Sequence, residues 1–356
     1  MDPRARARLG RSTVHVDQLL LGLVPLGNLY KVVPEDEAQA VLQAWWDRGL
    51  RTYDVAPVYG FGLAERRLGR FLADKPRSEF VVSTKVGRPV REGAPDDPEL
   101  YWPDGTPYFH GMPEDIRPYY DYTRDGMLWG LERSLERLGL DRVDYVHMHD
   151  PDDHIREAIE VVFPALAELR EQGVIGAIGV GTNWGRVAYP IARQCDLDCV
   201  LLAGRYTLID FEGTEALLPL CEERGISVIN GGVFNGGFLA DPRIGGTYQY
   251  RPTADQALVD RALRIADTCA THGVPIKAAA VQFSMGHPAV AAVVVGASSV
   301  AHATEVVDMF EVDIPDAMWQ QLLEVGLLPD GTPVPTSPHG QGVAAATPGS
   351  TDAGLG

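Results

Sequence analysis

Short β-rich runs alternate with amphipathic helical stretches from about residue 19 to about residue 310, and a chain with this rhythm has few folds open to it. The runs Leu19 to Leu26, Leu50 to Asp54, Phe80 to Lys85, Val143 to His149, Val174 to Val180, Val200 to Ala203, Ile226 to Ile229 and Ala291 to Val295 read as strands. Between them lie helical patterns such as EDEAQAVLQAWWDRG, MLWGLERSLERLG, REAIEVVFPALAELREQG and ALVDRALRIADTCATHG, most of them stopped by the Gly expected just past a helix end. Eight strands, each followed by a helix, predict an α/β fold of the (β/α)8 barrel type. At 356 residues and 45% hydrophobic content, length alone allows two ordinary domains or one large barrel. The rhythm predicts a single barrel domain over residues 1–328.

The competing architecture is an open doubly wound sheet, which normally carries a Gly-rich turn directly after its first strand. Here the first strand runs into PLGNLYKVVPED, which is no G-x-G-x-x-G. The other Gly cluster, NGGVFNGGFLA, follows the seventh strand and lacks the Lys-Ser/Thr ending of a P-loop. In a barrel, that late position often holds a phosphate-binding loop.

Two segments break the rhythm. Gly87 to Thr123 is a long Pro-, Asp- and aromatic-rich connection after the third strand; loops of this length are functional or disordered, and the aromatic content favours a substrate-covering loop. The stretch after Leu328, residues 329–356, is rich in Pro, Gly, Ala, Ser and Thr and predicts a flexible tail.

Charge excludes some partners. Lys and Arg number 31 against 49 Asp and Glu, a net charge of -18 spread without long acidic blocks, which repels nucleic-acid phosphates and anionic membranes. The sequence contains no run of about 18 apolar residues and no signal peptide at MDPRARARLGRSTVHV, so the cytoplasm is the expected compartment. Cys195, Cys199, Cys221 and Cys269 form no C-x-x-C pair and read as reduced, buried thiols, and no metal site is expected.

In a barrel the chemistry sits at the C-terminal ends of the strands. Strand two ends in Asp54 and its loop carries Tyr59; strand three ends in Lys85 and strand four in His149. Singly these have ordinary structural roles: a helix N-cap, a surface aromatic in a turn, a solvated strand end, a core histidine. Together they solve a chemical problem. A phenol of ordinary pKa about 10 is a poor acid or base near neutrality, whereas an adjacent ammonium stabilises its phenolate and a carboxylate holds that ammonium in place. An imidazole beside them can orient a carbonyl oxygen and stabilise charge that develops on it during hydride transfer.

The strings YDVAPVYGFGLAERRLGRFL, FVVSTKVG, SLERLGLDRVDYVHMHDPDDH and AIGVGTNW resemble, in order and spacing, the signature blocks of the aldo-keto reductases, over about residues 10 to 326. The resemblance implies an N-terminal β-hairpin, with Asp54, Tyr59, Lys85 and His149 as the catalytic set. His147, two residues earlier on the same strand face, is the competing histidine. The resemblance also implies NAD(P) held across the barrel mouth without a Rossmann fold. Thr182 and Asn183 match the carboxamide-contacting positions, and the loop from Gly232 to Leu239, with Gly232, Val233, Phe234, Asn235, Gly237 and Leu239, matches the segment covering the pyrophosphate. Ala203 stands where many members have Gln, and Gly231 where many stack a Tyr on the nicotinamide. Gly296, Ser298 and His302 fall in the segment that holds the adenosine phosphate at a helix N-terminus. NADP users commonly place Lys and Arg there; with Gly296 and His302 in those positions, and Val306 replacing a common adenine-binding Asn, NAD is the expected cofactor, with NADP the alternative.

Within that family PLGNLY, YDYTRDG, HDPDDH, AGRYTLID and GVFNGG look most like the D-threo-aldose 1-dehydrogenase group, which includes L-fucose dehydrogenases. The implied reaction oxidises the C1 hydroxyl of a cyclic aldose to a lactone, with Tyr59 as general base. Asp150, Asp152, Asp153 and His154 read either as hydrogen-bond partners of sugar hydroxyls or as an acidic cap for the next helix. Three other readings stay open: reduction of a different aldehyde or ketone, a noncatalytic NAD(P)-binding barrel subunit, and a metal-dependent sugar isomerase or hydrolase. The expected partner is a small sugar; the oligomeric state is not legible.

Overall fold

The computed structural model describes residues 1–213, 215–243, 248 and 255–336. An antiparallel hairpin, β1 (Arg6–Arg8) with β2 (His15–Asp17), precedes the barrel. The barrel strands are β3 (Leu19–Gly22), β4 (Thr52–Asp54), β5 (Val81–Val86), β8 (Tyr145–His149), β9 (Ala177–Thr182), β10 (Cys199–Ala203), β11 (Ser227–Gly231) and β12 (Val290–Gly296). They close in that order, all parallel, β12 pairing back onto β3. Between β5 and β8 lie two outer strands, β6 (Val90–Glu92) and β7 (Ile116–Pro118), paired with each other. The fold is the (β/α)8 barrel with its N-terminal hairpin.

The barrel strands are buried on both faces, which is why they read as near-continuous apolar runs. Inward-pointing Leu20, Tyr145, Cys199, Leu201, Ile229, Ala292 and Val294 fill the interior, and Leu9, Val14 and Val16 of the hairpin join that cluster. The other strand face packs on the helices. The helix Arg124–Leu138 shows how sequence places them: it buries Met127, Leu131, Ser134 and Leu138, spaced at helical period. Thr123 caps its start by accepting from the Gly126 N–H at 3.0 Å, and Gly139 ends it in the left-handed region.

Element boundaries differ from the sequence expectation where a residue cannot serve a ladder. The first strand stops at Gly22 rather than Leu26, because Pro25 has no N–H to donate and Pro25–Gly27 folds as a 3-10 turn. The fifth begins at Ala177 rather than Val174, whose N–H is used to close the preceding helix on Leu169.

The long connection 87–123 is folded: β6 and β7 pair, and Leu100 and Phe109 join Val58, Phe61 and Val90 in a small cluster separate from the main core. All four cysteines are buried free thiols. No helix among the described residues is long and apolar enough to cross a membrane. Of the 329–356 tail, residues 337–356 lie outside the described residues.

Candidate active site

The barrel registers bring Asp54, Lys85 and His149 to one end, with Tyr59 beside them. Asp54 and Lys85 are both 2% exposed. Lys85 Nζ donates to Asp54 Oδ1 at 2.5 Å and to the Val55 carbonyl at 3.1 Å, while Ser83 Oγ donates to Asp54 Oδ2 at 2.6 Å. Tyr59 stands over this pair, half-buried, its ring centroid 4.8 Å from Lys85 Nζ and 5.9 Å from the His149 ring, which it meets edge-on.

Backbone contact fixes the tyrosine. Gly60 has φ +62, and a Cβ there would fall 2.4 Å from the Gly27 carbonyl oxygen; a Cβ on Gly27 would fall 2.5 Å from the Tyr59 carbonyl carbon. Two chains touching without side chains between them leave Tyr59 no room to drift. The loop after β3 and the turn after β4 are locked together there.

Protonation departs from the sequence expectation. Burial by itself pushes the Asp54 carboxyl up, but Lys85, His147 and the bonds from Lys85 and Ser83 outweigh it and hold Asp54 below the ordinary carboxylate range. The ammonium is thus bound to its carboxylate. Tyr59 was expected to gain a stabilised phenolate from Lys85; instead burial, Asp54 and Asp150 push its pKa well up, against only a lowering by Arg88. In this geometry Tyr59 is held as the neutral phenol.

Of the two histidines, His149 is the one beside Tyr59. His147 lies one layer deeper, fully buried, its Nε2 4.0 Å from Asp54 Oδ2 and its ring edge-on to Tyr145. Burial carries its pKa down to about 3, Asp54 raising and Lys85 lowering it. His149 is also held well below the ordinary value, by burial first and then by Lys85 and Arg88. Both rings are neutral when folded and take up protons on unfolding. Stability is therefore complete above the unfolded pKa of about 6.5 and falls as pH drops below it, by up to about 1.4 kcal/mol per pH unit for each ring. Denaturant titrations between about pH 7 and 4 check this against His147→Asn, which should flatten the slope.

The acidic run after His149 does not cap a helix. His154 occupies the N-cap of Ile155–Glu157 without a side-chain cap bond, and its ring stacks on Tyr122, centroids 4.9 Å apart. Asp150 instead pairs with Arg88 at 2.7 Å. Asp152 is partly buried, its pKa raised by burial, Asp150 and Glu99, and Asp153 is exposed.

The expected cofactor positions spread along the other side of the same end. Thr182 ends β9, 2% exposed, its Oγ1 accepting from the Trp184 N–H at 3.2 Å. The Asn183 carbonyl accepts from Arg205 Nε at 2.8 Å, and Arg205 lies over the Trp184 ring at 3.7 Å. Gly231 ends β11 beside Ala203, and Gly232, exposed, has φ +63. In the turn that follows, Val233 and Leu239 point into the main core, and Asn235 Nδ2 donates to the Gly204 carbonyl. The N–H groups of Asn235, Gly237 and Leu239 are used by local turns on the carbonyls of Gly232 and Phe234. What this segment offers outward is Gly232, Gly236, Gly237 and the half-buried Phe234.

Gly296 ends β12, exposed, and Ser298 Oγ lies 3.3 Å from His302 Nδ1 at the start of the helix Val300–Glu311. Glu37, which sequence reasoning passed over, reaches the same helix start and accepts from the Val300 N–H at 3.1 Å. Arg88 was also passed over, although a cation directly after a strand-end Gly at a barrel mouth is a usable signal. A Cβ on Gly231 would lie 3.1 Å from Val294 Cγ1, 3.6 Å from Leu201 Cδ2 and 3.7 Å from the Ala203 Cβ, so the end of β11 is lined by small and aliphatic groups with no side chain of its own.

Fold and site together define a parallel (β/α)8 barrel with a tyrosine and a histidine at its mouth above a buried Asp–Lys pair. The chain belongs to the aldo/keto reductase family, whose model matches residues 18–326. Members of this oxidoreductase family use NAD(P)(H). The chain is 42% identical over 311 residues to a D-threo-aldose 1-dehydrogenase of Pseudomonas sp, covering 86% of this chain and 93% of the relative. It is 37% identical over 336 residues to a pyridoxal 4-dehydrogenase of Microbacterium luteolum, covering 90% and 97%. Among solved structures, an aldo-keto reductase from Bacillus halodurans in its holo form matches with a TM-score of 0.70 at 25% identity, covering 90% of this chain and 96% of that one. A glycerol dehydrogenase from Gluconobacter oxydans shares the fold at 22% identity and a TM-score of 0.72, covering 95% and 99%.

Proposed function

We propose that this chain, as one barrel domain over residues 1–328, is an NAD-preferring dehydrogenase that oxidises the C1 hydroxyl of a cyclic aldose to its lactone. The observation that carries this reading is the packing of Tyr59 against His149 over the Asp54–Lys85 pair, in a chain 42% identical to a D-threo-aldose 1-dehydrogenase. Bound NAD(P) supplies the hydride acceptor; the residues supply orientation and the proton path. His149 donates a hydrogen bond to the reacting oxygen, and Tyr59 takes the hydroxyl proton in oxidation or gives it in reduction.

Gly296 and His302 stand where NADP users commonly place Lys and Arg, which favours NAD. A Cβ on Gly296 would lie 2.6 Å from Pro25 Cγ, which leaves no space for a lysine at that position. The Glu37 carboxylate at the start of Val300–Glu311 opposes an added 2'-phosphate there. Thr182, Asn183 and the outward glycines of 232–237 are the residues that would hold the dinucleotide.

Purified protein should reduce NAD with L-fucose, D-arabinose or L-galactose. Because Tyr59 is held protonated, the rate should climb about tenfold per pH unit across the neutral to alkaline range, as for a general base below its pKa. No NADH from any of these sugars, or a preference of about tenfold for NADP in kcat/KM, would sink the respective claim. Pyridoxal belongs in the same panel, since the mouth is rich in aromatics and the chain is 37% identical to a pyridoxal 4-dehydrogenase. Turnover of pyridoxal alone would replace the sugar.

A further inference from the structure

We infer that Asp150, clamped by Arg88, is a positioning residue that fixes the imidazole of His149 as its Nε2–H tautomer. For its use in turnover this rests on the reading of His149 as the donor to the substrate oxygen; the tautomer itself does not.

The two ring nitrogens of His149 meet different surroundings. Nδ1 is buried and has no hydrogen-bond partner. Nε2 faces Asp150 Oδ2 at 3.6 Å. A neutral imidazole carries one proton, and a buried N–H without an acceptor is costlier than a bare lone pair, so the proton belongs on the nitrogen that sees the carboxylate. The remaining charged and titratable groups around the ring are Lys85, Arg88, Asp54, His147 and Tyr59. The two cations, with burial, keep the ring from taking a second proton.

The carboxylate is there because the backbone has been bent to place it. Asp150 has φ +47, in the left-handed region that Asp tolerates better than most residues. Its N–H donates to the Gly181 carbonyl at 2.8 Å, and the Tyr122 hydroxyl donates to the His149 carbonyl, so the peptide between them is pinned on both sides. Arg88, 6% exposed, spans two carboxylates: Nη1 to Asp150 at 2.7 Å and Nη2 to Asp97 at 2.9 Å. Its guanidinium also lies over the Tyr120 ring at 4.6 Å. With both arms occupied, Arg88 acts through Asp150 and not on a ligand. The clamp ties the 87–123 connection, through Asp97, to the orientation of the histidine.

The test is long-range 1H–15N correlation on full-length protein carrying 15N-histidine, with His149→Gln to assign the ring. Wild type is expected to show a protonated Nε2 and a bare Nδ1 for His149, unchanged between about pH 5 and 9. Asp150→Asn keeps the left-handed preference and loses the charge, and Arg88→Lys keeps the charge but cannot bridge two carboxylates. Both should show a mixture of tautomers at His149. In both, kcat should fall by about ten- to a hundredfold, the loss seen when the partners of metal-binding imidazoles are removed, with the Kd for NAD unchanged. Asp97→Asn, which cuts the other arm of Arg88, should show the same mixture to a smaller extent. An Nδ1–H signal in wild type, or an unaltered His149 spectrum in Asp150→Asn, overturns the inference. Protein that shows the expected spectra and oxidises no substrate overturns the dehydrogenase reading and leaves this one in place.

Discussion

Tyr59→Phe should lower kcat by about 10²- to 10⁴-fold, the range in which a positioned proton donor or acceptor acts, while the Kd for NAD stays within about twofold. The substitution removes one hydroxyl and keeps the ring, so the edge-on contact with His149 and the position over Lys85 persist. Gly27 and Gly60 still meet behind it, so the loop stays in place. Equilibrium cofactor titration followed by single-turnover kinetics separates the two quantities. Near-normal turnover in this variant would refute the proton role and return Tyr59 to the status of a packing aromatic.

Lys85→Met should be damaged twice over. Asp54 would then be a fully enclosed carboxylate with only Ser83 for support, and breaking a buried pair from one side costs about 3–5 kcal/mol. Its carboxyl, held low by Lys85 in the intact protein, would rise, and a proton would settle there or be shared with His147 at 4.0 Å. Turnover should fall with it, because the cation beneath the tyrosine is gone. Asp54→Asn combined with Lys85→Met supplies the control: the double variant should recover most of the lost stability in denaturant titrations without recovering activity. Additive stability losses in the two variants would mean that the pair contributes nothing beyond its separate side chains.

Much of this site is legible in the residues because a parallel barrel puts strand ends to use. Asp54 and His149 close their strands, and Lys85 stands one residue from the end of its own. Each follows a run apolar enough to mark where the strand lies. The boundary at Gly22 was legible in principle, since Pro25 announces a lost donor. The protonation of Tyr59 was not. It depends first on burial and then on the carboxylates of Asp54 and Asp150, an environment that no spacing of residues encodes. Arg88 and Asp150 are 62 positions apart, and the left-handed turn that lets them meet shows in neither string. In the 232–239 segment the residues that face inward were not legible: Val233 and Leu239 anchor it in the core, and local turns use the N–H groups of Asn235, Gly237 and Leu239.

The 87–123 connection carries its own small apolar cluster with Val58 and Phe61, and meets the His149 end through Arg88 and through Tyr122, whose hydroxyl donates to the His149 carbonyl. A part attached in this way is exchangeable. The residues between Val90 and Pro118 can be rewritten or lengthened by selection with little penalty to the barrel core, provided that Arg88 still meets Asp150 and Tyr122 still meets the His149 carbonyl. If the proposed dehydrogenase reading holds, substrate preference and scaffold durability can be inherited separately, because the residues that would cover the substrate and those that build the barrel core are largely different.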